Sequence, residues 1–308
     1  MFYIEKVVKF RYAELRQEEV TNLRDLEKQV GNDFIVVKYN GNYNKTENHF
    51  RFDVKNYHVV KLDLSHANLS KIPDTIFKFP HLQELYLFTN KIEKVPDSIG
   101  NLLSLKHLHL SHNKLKSMPE SIKTLTSLEQ LDLDRNQFES FPYSVCFLKN
   151  LRILYGSGGK EGVSNHFKTL PETFGNLKKL EWLIMSKVGL EALPESFGNL
   201  KALRILNLKN NNLTSLPESF GNLSSLEECN LWNNNLSSLP ESFGNLESLK
   251  TLNLWENSIK SIPDSFARLS PLLNLRINHK RIPNVAEGVR KTFPYCSAFR
   301  KKKVYRLD

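Results

Sequence analysis

Aromatic, acidic and amide side chains recur in this sequence at intervals of 23 residues. Trp232 and Trp255 are one interval apart, and Tyr86, His109 and Asp132 occupy three successive intervals. Exposed aromatic side chains with polar neighbours are typical of surfaces that bind other proteins. Ten candidate binding residues occupy such recurring positions: Trp182, Trp232, Trp255, Tyr86, Phe88, Asp132, His109, Asn207, Asn230 and Asn253. The alternative is that these side chains pack on neighbouring strands and only cover the sheet beneath them.

Catalysis and metal binding are not predicted from these residues. Imidazole and carboxylate groups are suitable metal ligands, but the histidines and aspartates concerned are spread over four successive repeats: His66, His107, His109, His112, Asp132 and Asp134. The glycine-rich segment 156–162 is similar to a phosphate-binding loop, yet Glu161 stands where such a loop needs Ser or Thr. That segment is predicted to be a surface loop. We therefore predict that the protein is not an enzyme and that it has no cofactor and no metal site.

Ten repeats of the pattern LxxLxLxxNxLxxLPxxfgxLxx position the candidate residues. Alternating apolar residues predict a short strand with one buried face. The Asn can satisfy backbone groups where the chain leaves the strand, the Pro ends the pairing, and the residues after it suit one helical or 3-10 turn. The strands are centred on Leu62, Leu85, Leu108, Leu131, Leu154, Leu183, Leu206, Cys229, Leu252 and Leu275, with six residues inserted before Leu183. One repeat cannot bury its apolar face alone, so the repeats must stack.

Residues 59–282 resemble the leucine-rich repeat family through this pattern. The resemblance implies an α/β solenoid, a curved horseshoe with ten parallel strands on its concave face and short helical or 3-10 turns on its convex face. The 23-residue length is similar to the intracellular subclass, which includes Ras-group and Ras-pathway scaffold proteins and stand-alone archaeal and bacterial proteins. That resemblance implies a non-enzymatic, cytoplasmic interaction scaffold for signalling. Its concave face would bind a protein partner, for example a small GTPase.

The two ends of the chain depart from the repeat. Residues 1–57 are predicted to form a small α+β cap, with a strand over Phe2–Phe10 and a helix whose face carries Leu15, Leu23, Leu26 and Val30. Strands over Phe34–Tyr39 and near Phe50–Val54 would follow, separated by a turn at Asn40–Asn48. The alternative is an independent functional domain. In residues 283–308, the helical spacing of Val285, Val289 and Phe293 predicts a second cap, ahead of a basic tail.

Charge does not favour a nucleic-acid partner, although the formal net charge is +10. Half of that excess lies in residues 283–308, mainly at Arg300–Lys303 and Arg306. Because the predicted concave positions carry both signs, no basic groove is expected. Two alternatives to the scaffold remain open: a ligand-sensing or regulatory receptor module, and weak binding of an anionic surface by the tail. No membrane span or secretory signal is expected, and the chain is predicted to be a monomer or weak dimer.

Overall fold

A computed structural model describes residues 7–10, 13–31, 34–36, 50–159, 164–278, 282–283, 285–296 and 298. The chain divides into two compact bodies. The N-terminal body comprises Met1–Phe138, Ser144–Tyr155 and Gly159–Ser164. The C-terminal body comprises Glu139–Tyr143, Gly156–Gly158 and Asn165–Asp308. Each body contains five of the ten predicted repeat strands.

The residues before the first repeat contain one more element than the sequence predicts. Strands β1 (Val7–Phe10) and β2 (Ala13–Arg16) form an antiparallel hairpin, and helix α1 (Gln17–Val30) follows it. Leu15 is buried in β2 and not in the helix, so the predicted helix face is wrong at this residue. Strands β3 (Phe34–Val36) and β4 (Phe50–Lys55) come next.

Several of the sequence-based predictions concern residues outside the described ranges. These are residues 2–6 of the first predicted strand, residues 37–39 of the second, the turn at Asn40–Asn48, residues 160–163 near the insertion, and the tail at Arg300–Lys303 and Arg306. The boundaries predicted at residues 57 and 282 likewise stay predictions.

The repeat strands of the N-terminal body form a parallel ladder. They are β5 (His58–Asp63), β6 (Glu84–Tyr86), β7 (His107–His109), β8 (Gln130–Asp132) and β9 (Ile153–Tyr155). The predicted register is observed, because Leu62 pairs with Leu85, Leu85 with Leu108 and Leu108 with Leu131. Strand β4 pairs antiparallel with β5 and parallel with β3. The N-terminal segment therefore supplies the strand beside the first repeat.

The C-terminal body contains an equivalent parallel ladder. Its strands are β10 (Trp182–Ile184), β11 (Ile205–Asn207), β12 (Glu228–Asn230), β13 (Thr251–Asn253) and β14 (Asn274–Arg276). Short 3-10 helices return the chain from strand to strand among the described residues of both bodies: Asp74–Lys78, Asp97–Asn101, Glu120–Thr124, Tyr143–Phe147, Glu172–Asn176, Glu195–Asn199, Glu218–Asn222, Glu241–Asn245 and Asp264–Arg268. The predicted repeat solenoid, with parallel strands and 3-10 turns, is confirmed.

In most repeats a recurring Asn makes hydrogen bonds to the repeat before it. The Asn113 side-chain oxygen accepts a hydrogen bond from the Ile92 N–H at 3.0 Å. Its amide group donates to the carbonyl oxygens of Leu87 at 2.9 Å and Leu110 at 3.0 Å. Asn136, Asn211, Asn234 and Asn257 make equivalent bonds. Since these backbone groups are buried, the Asn provides the partners that water cannot.

A left-handed backbone residue precedes the Asn position in most repeats and turns the chain away from the strand. The φ values lie between 53° and 62° at His66, Thr89, His112, Arg135, Lys187, Asn210, Asn233 and Glu256. Asparagine tolerates this conformation because its side chain bonds locally to the backbone, whereas a β-branched residue is strained there. Thr89, with φ 56°, is the β-branched member of the set.

Replacing Thr89 by asparagine is expected to raise the free energy of unfolding by about 0.5–1 kcal/mol, because it relieves this strain. The Thr89 N–H bond to the Ser111 carbonyl, 2.9 Å long, is retained. Chemical denaturation of the full chain measures the change. The matched control is Thr251→Asn within strand β13, where Asn is disfavoured and stability should fall. A loss of stability from Thr89→Asn would contradict the strain argument.

Phenylalanine rings form a continuous stack along the 3-10 side of the C-terminal body. Phe174, Phe197, Phe220, Phe243 and Phe266 are fully buried, with adjacent centroids 5.7–6.2 Å apart and nearly parallel ring planes. A glycine follows each of the first four rings, and a Cβ there would collide with the backbone of the next repeat. The N-terminal body has smaller apolar residues at the ring position, namely Ile76, Ile99, Ile122 and Val145.

The end of the C-terminal body is closed by the residues predicted to cap it. Val285, Val289 and Phe293 are all buried, and the Phe293 ring lies 5.4 Å from the ring of Phe266. The helix itself, α2 (Glu287–Thr292), is shorter than that spacing suggests, since Val285 precedes it. No helix in the described part of the chain is long and apolar enough to cross a membrane.

Candidate partner-binding surfaces

Strand alternation places the candidate residues on the open side of each ladder. In almost every three-residue repeat strand the central residue is buried and its two neighbours are partly exposed. Tyr86, Phe88, His109 and Asp132 belong to the N-terminal body, and the other candidates to the C-terminal body: Trp182, Trp232, Trp255, Asn207, Asn230 and Asn253. The two groups therefore form two surfaces, one on each body.

On the N-terminal surface the candidate side chains contact one another. The Tyr86 ring stacks on the His109 ring, with centroids 4.5 Å apart and an angle of 6° between the planes. His109 Nδ1 lies 3.8 Å from the Asp132 carboxylate. The rings of His66 and Phe88 are nearly perpendicular, with centroids 5.2 Å apart. These contacts support the interpretation in which the side chains pack on neighbouring strands and cover the sheet. Most of the aromatic and polar side chains named here already contact one another.

The charges of this surface are also largely satisfied within it. Burial raises the pKa of Glu84, but hydrogen bonds from Lys61 and from the Tyr86 hydroxyl outweigh it and hold the pKa below its usual value. The Lys61 ammonium lies 3.0 Å from that carboxylate and 4.5 Å from the Tyr86 ring centroid. Burial, with the carboxylates of Asp132 and Asp134, raises the pKa of Tyr155. At pH 7 the surface is therefore an internally paired polar network.

The C-terminal surface contains an open cleft of about 650 Å³. Trp232 and Trp255 line it together, as their 23-residue spacing predicts, and Arg276 lines it from the next strand. Among the described residues, Tyr295 and Cys296 also line it. Tyr295 is 89% exposed, so a large aromatic side chain is presented to solvent beside the two indoles. This arrangement has the composition of a binding hot spot.

The asparagines of the C-terminal surface have a local role. The side-chain oxygens of Asn207, Asn230 and Asn253 accept hydrogen bonds of 3.1–3.2 Å from the backbone N–H two residues later. In two of these cases the donor belongs to Trp232 or Trp255. Asp132 makes the same bond to Asp134 in the N-terminal body. These side chains therefore hold the backbone that presents the tryptophans, and only Asn253 of the three lines the cleft.

Trp182 is not among the residues that line the cleft. It begins strand β10 and is 38% exposed. Sequence reasoning missed Tyr295 and Cys296, because both lie beyond the last repeat and no periodic position identifies them. The available signal was Phe293, whose predicted core position anchors the segment that follows it. Cys229, by contrast, is buried at a leucine position as expected, and burial raises the pKa of its thiol.

No group of three or more metal-ligating side chains that could hold an ion occurs among the described residues.

His112, a member of the histidine set considered from sequence, lies near other charged groups. Burial lowers its pKa, and Arg135 lowers it further, whereas Asp132 acts in the opposite direction. His112 is therefore favoured in the neutral form at pH 7, as one member of the polar surface.

Comparison with known families identifies the repeat along most of the chain. A family described as "Leucine-rich repeat region" matches residues 35–155 and 161–238, and one described as "Leucine rich repeat" matches residues 225–282. No curated protein sequence matches the chain.

Similar solved structures come from bacteria and plants. A leucine-rich repeat protein of Leptospira interrogans is 30% identical, with a TM-score of 0.53 over 74% of this chain and 60% of that one. The ectodomain of the Arabidopsis thaliana membrane receptor kinase GASSHO1, in complex with Casparian strip integrity factor 2, is 27% identical, with a TM-score of 0.62 over 76% and 28%. The plant peptide hormone receptor RGFR1, in complex with RGF2, is 28% identical, with a TM-score of 0.50 over 70% and 38%. The chain thus spans less than two thirds of each of these proteins.

Proposed function

This chain belongs to the leucine-rich repeat family, and from that premise we propose that it is a non-enzymatic interaction module that binds a protein partner at the C-terminal cleft. Proteins of this fold are commonly protein–protein interaction modules. The observation that carries the proposal is the pair of tryptophans lining the cleft. Neither occupies a buried leucine position, so the core does not require them.

The backbone of the cleft is preorganised for binding. Hydrogen bonds of 3.1 Å hold the backbone N–H groups of Trp232 and Trp255 on the side chains of Asn230 and Asn253. A rigid strand ladder loses little conformational entropy on association, so more of the contact energy is available as affinity. The N-terminal surface is the weaker candidate, since its aromatic and charged groups already contact one another.

The finer parts of the proposal rest on the resemblance to the intracellular 23-residue subclass. We propose that the chain belongs with the Ras-group and Ras-pathway scaffolds and has a cytoplasmic signalling role, with a small GTPase as one partner class. We propose no nucleic-acid partner, and a monomer or weak dimer. The basic tail, the source of the alternative in which the chain binds an anionic surface, lies outside the described residues.

A peptide-sensing receptor module is the second candidate function. The observation in its favour is that similar plant structures include a peptide hormone receptor and a receptor kinase ectodomain in complexes. In this chain the cleft is open and lined by aromatic side chains, which suits a narrow ligand as well as a folded protein. The two candidates differ in the partner's size, so the mass of the captured species distinguishes them.

Replacing both Trp232 and Trp255 by alanine is expected to reduce partner capture from the native lysate at least tenfold. Truncation of a hot-spot aromatic side chain commonly costs more than about 2 kcal/mol of binding free energy. The thermal midpoint should move by less than about 4 °C, since both rings are partly exposed. The control is Tyr143→Ala, an exposed aromatic on a 3-10 helix away from the strands. Capture that survives the double substitution would rule out the cleft.

A further inference from the structure

We propose that the C-terminal cleft recognises an extended peptide segment in which an apolar side chain and an aspartate or glutamate are two residues apart. This inference rests on the proposed function and adds the chemistry of the partner. It follows from the different chemical characters of the residues that line the two parts of the cleft, and from the distance that the strand register sets between them.

The apolar part of the cleft is formed by the two indoles. Asn230 pairs with Asn253 in the ladder, so Trp232 and Trp255, each two residues further on, lie just beyond the ends of adjacent strands that are about 4.8 Å apart. The Asn233 N–H donates to the Trp255 carbonyl at 2.9 Å and keeps the two segments side by side. Leu275 and Ile277 line the same cleft. Two indole rings at the separation of one strand accommodate a single aromatic or branched aliphatic side chain, with the large contact area typical of an anchor.

The charged part of the cleft is the guanidinium of Arg276. This side chain is exposed and, within the part of the chain that the structure describes, forms no ion pair. Guanidinium groups bind carboxylates through two parallel hydrogen bonds, which gives both strength and orientation. Glu256 also lines the cleft, and its negative charge repels a phosphate dianion more strongly than a singly charged carboxylate. Arg276 is the one arginine among the described lining residues. The acidic group is therefore assigned as the carboxylate of Asp or Glu.

The spacing of the motif comes from the register between strands β13 and β14. Arg276 pairs with Asn253, so Trp255 is displaced from it by one strand and by two residues along the chain. The two positions are about 8 Å apart, combining a strand separation of about 4.8 Å with two residues of about 3.3 Å each. An extended ligand spans about 6.8 Å in two residues, and those two side chains point to the same side. The sequence of the ligand is thus an apolar residue, any residue, and an acidic residue, in either direction.

Selection from a random dodecapeptide library displayed on phage, with the full chain immobilised, tests this inference. Enriched peptides should share an apolar and an acidic residue two positions apart. Their binding should fall at least tenfold with the Trp232→Ala and Trp255→Ala double substitution. Arg276→Gln should weaken the enriched peptide at least tenfold and leave its Asp→Asn or Glu→Gln counterpart within about twofold, because a neutral amide does not depend on the guanidinium. Arg268→Gln, the same change on an exposed 3-10 helix residue, is the control.

A second readout locates the bound peptide without mutation. Cys146 and Cys229 are buried, whereas Cys296 is partly exposed and lines the cleft. Iodoacetamide should therefore label Cys296 in the native chain, and a bound enriched peptide should slow that labelling, as measured by mass spectrometry.

The possible outcomes separate this inference from the proposed function. Peptides that need the tryptophans but bind equally well with Asn or Gln at the acidic position would overturn the carboxylate assignment and leave an interaction cleft standing. Peptides with an acidic residue at a different spacing would overturn the register argument. Selection of peptides that ignore the tryptophans and do not protect Cys296, or of no peptide at all, would overturn the inference. The proposed site would then still stand if the Trp232→Ala and Trp255→Ala double substitution abolished partner capture, and would fall if capture survived it.

Discussion

Replacing Asn234 by alanine is expected to lower the free energy of unfolding by about 3 kcal/mol, which is a large fraction of the stability of an ordinary domain. The side chain is buried and makes three short bonds: its oxygen accepts from the Leu213 N–H at 3.1 Å, and its amide donates to the carbonyl oxygens of Leu208 at 3.0 Å and Leu231 at 3.1 Å. Alanine leaves these backbone groups buried without partners, and each unsatisfied group costs about 1–3 kcal/mol.

The adjacent residue provides the control for this experiment. Asn235 is exposed, and the bond that it makes to the Leu213 carbonyl comes from its backbone N–H, which alanine retains. Asn235→Ala should therefore change the stability by less than about 0.5 kcal/mol. Urea denaturation followed by circular dichroism gives both values. A loss below about 1 kcal/mol for Asn234→Ala would mean that water replaces the side chain and that the Asn ladder contributes little.

Replacing Gly221 by alanine is expected to cost about 3 kcal/mol, at the upper end of what overpacked positions lose. A Cβ on Gly221 would lie far inside van der Waals contact with the Ser242 carbonyl oxygen, which is backbone and cannot rotate away. Relief requires the two repeats to separate, and separation would disturb the stack of Phe220 on Phe243, whose centroids are 5.7 Å apart. Differential scanning calorimetry should show a lowered midpoint.

Gly288→Ala separates this collision from the general effect of adding a methyl group. Its Cβ would lie 3.4 Å from the Ala267 Cβ, which is an ordinary contact, and the residue belongs to helix α2. Alanine is favoured over glycine in a helix by about 0.5–1 kcal/mol, so this variant should be slightly more stable than the native chain. If both substitutions lowered the midpoint equally, the close approach of the repeats would not explain the glycine.

The repeat architecture could be predicted because the same local physics acts ten times. A single leucine position is ambiguous, but Leu62, Leu85 and Leu108 at equal intervals specify one buried face and one register, and the observed pairing agrees. The Asn position was interpretable for the same reason, since an amide has both a donor and an acceptor where the chain leaves a strand. The periodicity was therefore sufficient to predict the fold and the side of the ladder on which each candidate residue lies.

The ends could not be predicted to the same extent, since they have no second copy to compare. Leu15 has a spacing to Leu23 that fits one helix face, yet it pairs with Val8 in a hairpin. That pairing depends on contacts between strands and not on the local pattern. Tyr295 likewise reaches the cleft because Val289 and Phe293 pack at the end of the core, which is a tertiary effect.

The candidate site was likewise only partly predictable from the sequence. The spacing of Trp232 and Trp255 was sufficient to place them side by side, and the cleft that they line contains both. Their exposure was predictable, but the contacts of Tyr86 with His109 were not, since side-chain stacking depends on rotamers that the sequence does not specify. The role of these residues in partner binding stays a prediction.

Three repeats of the C-terminal body share the identical stretch Leu-Pro-Glu-Ser-Phe-Gly-Asn-Leu, at residues 193–200, 216–223 and 239–246. Each joint between them consists of the same parts, a ring on a ring and a glycine beneath a serine carbonyl. Unequal recombination between such stretches would add or remove one whole repeat and leave every remaining joint chemically unchanged. The side chains that lie between the strand leucines, such as those of Asn207 and Asn230, take no part in these ring and glycine contacts. Array length and ligand preference can therefore diverge independently during evolution, while the core is inherited intact.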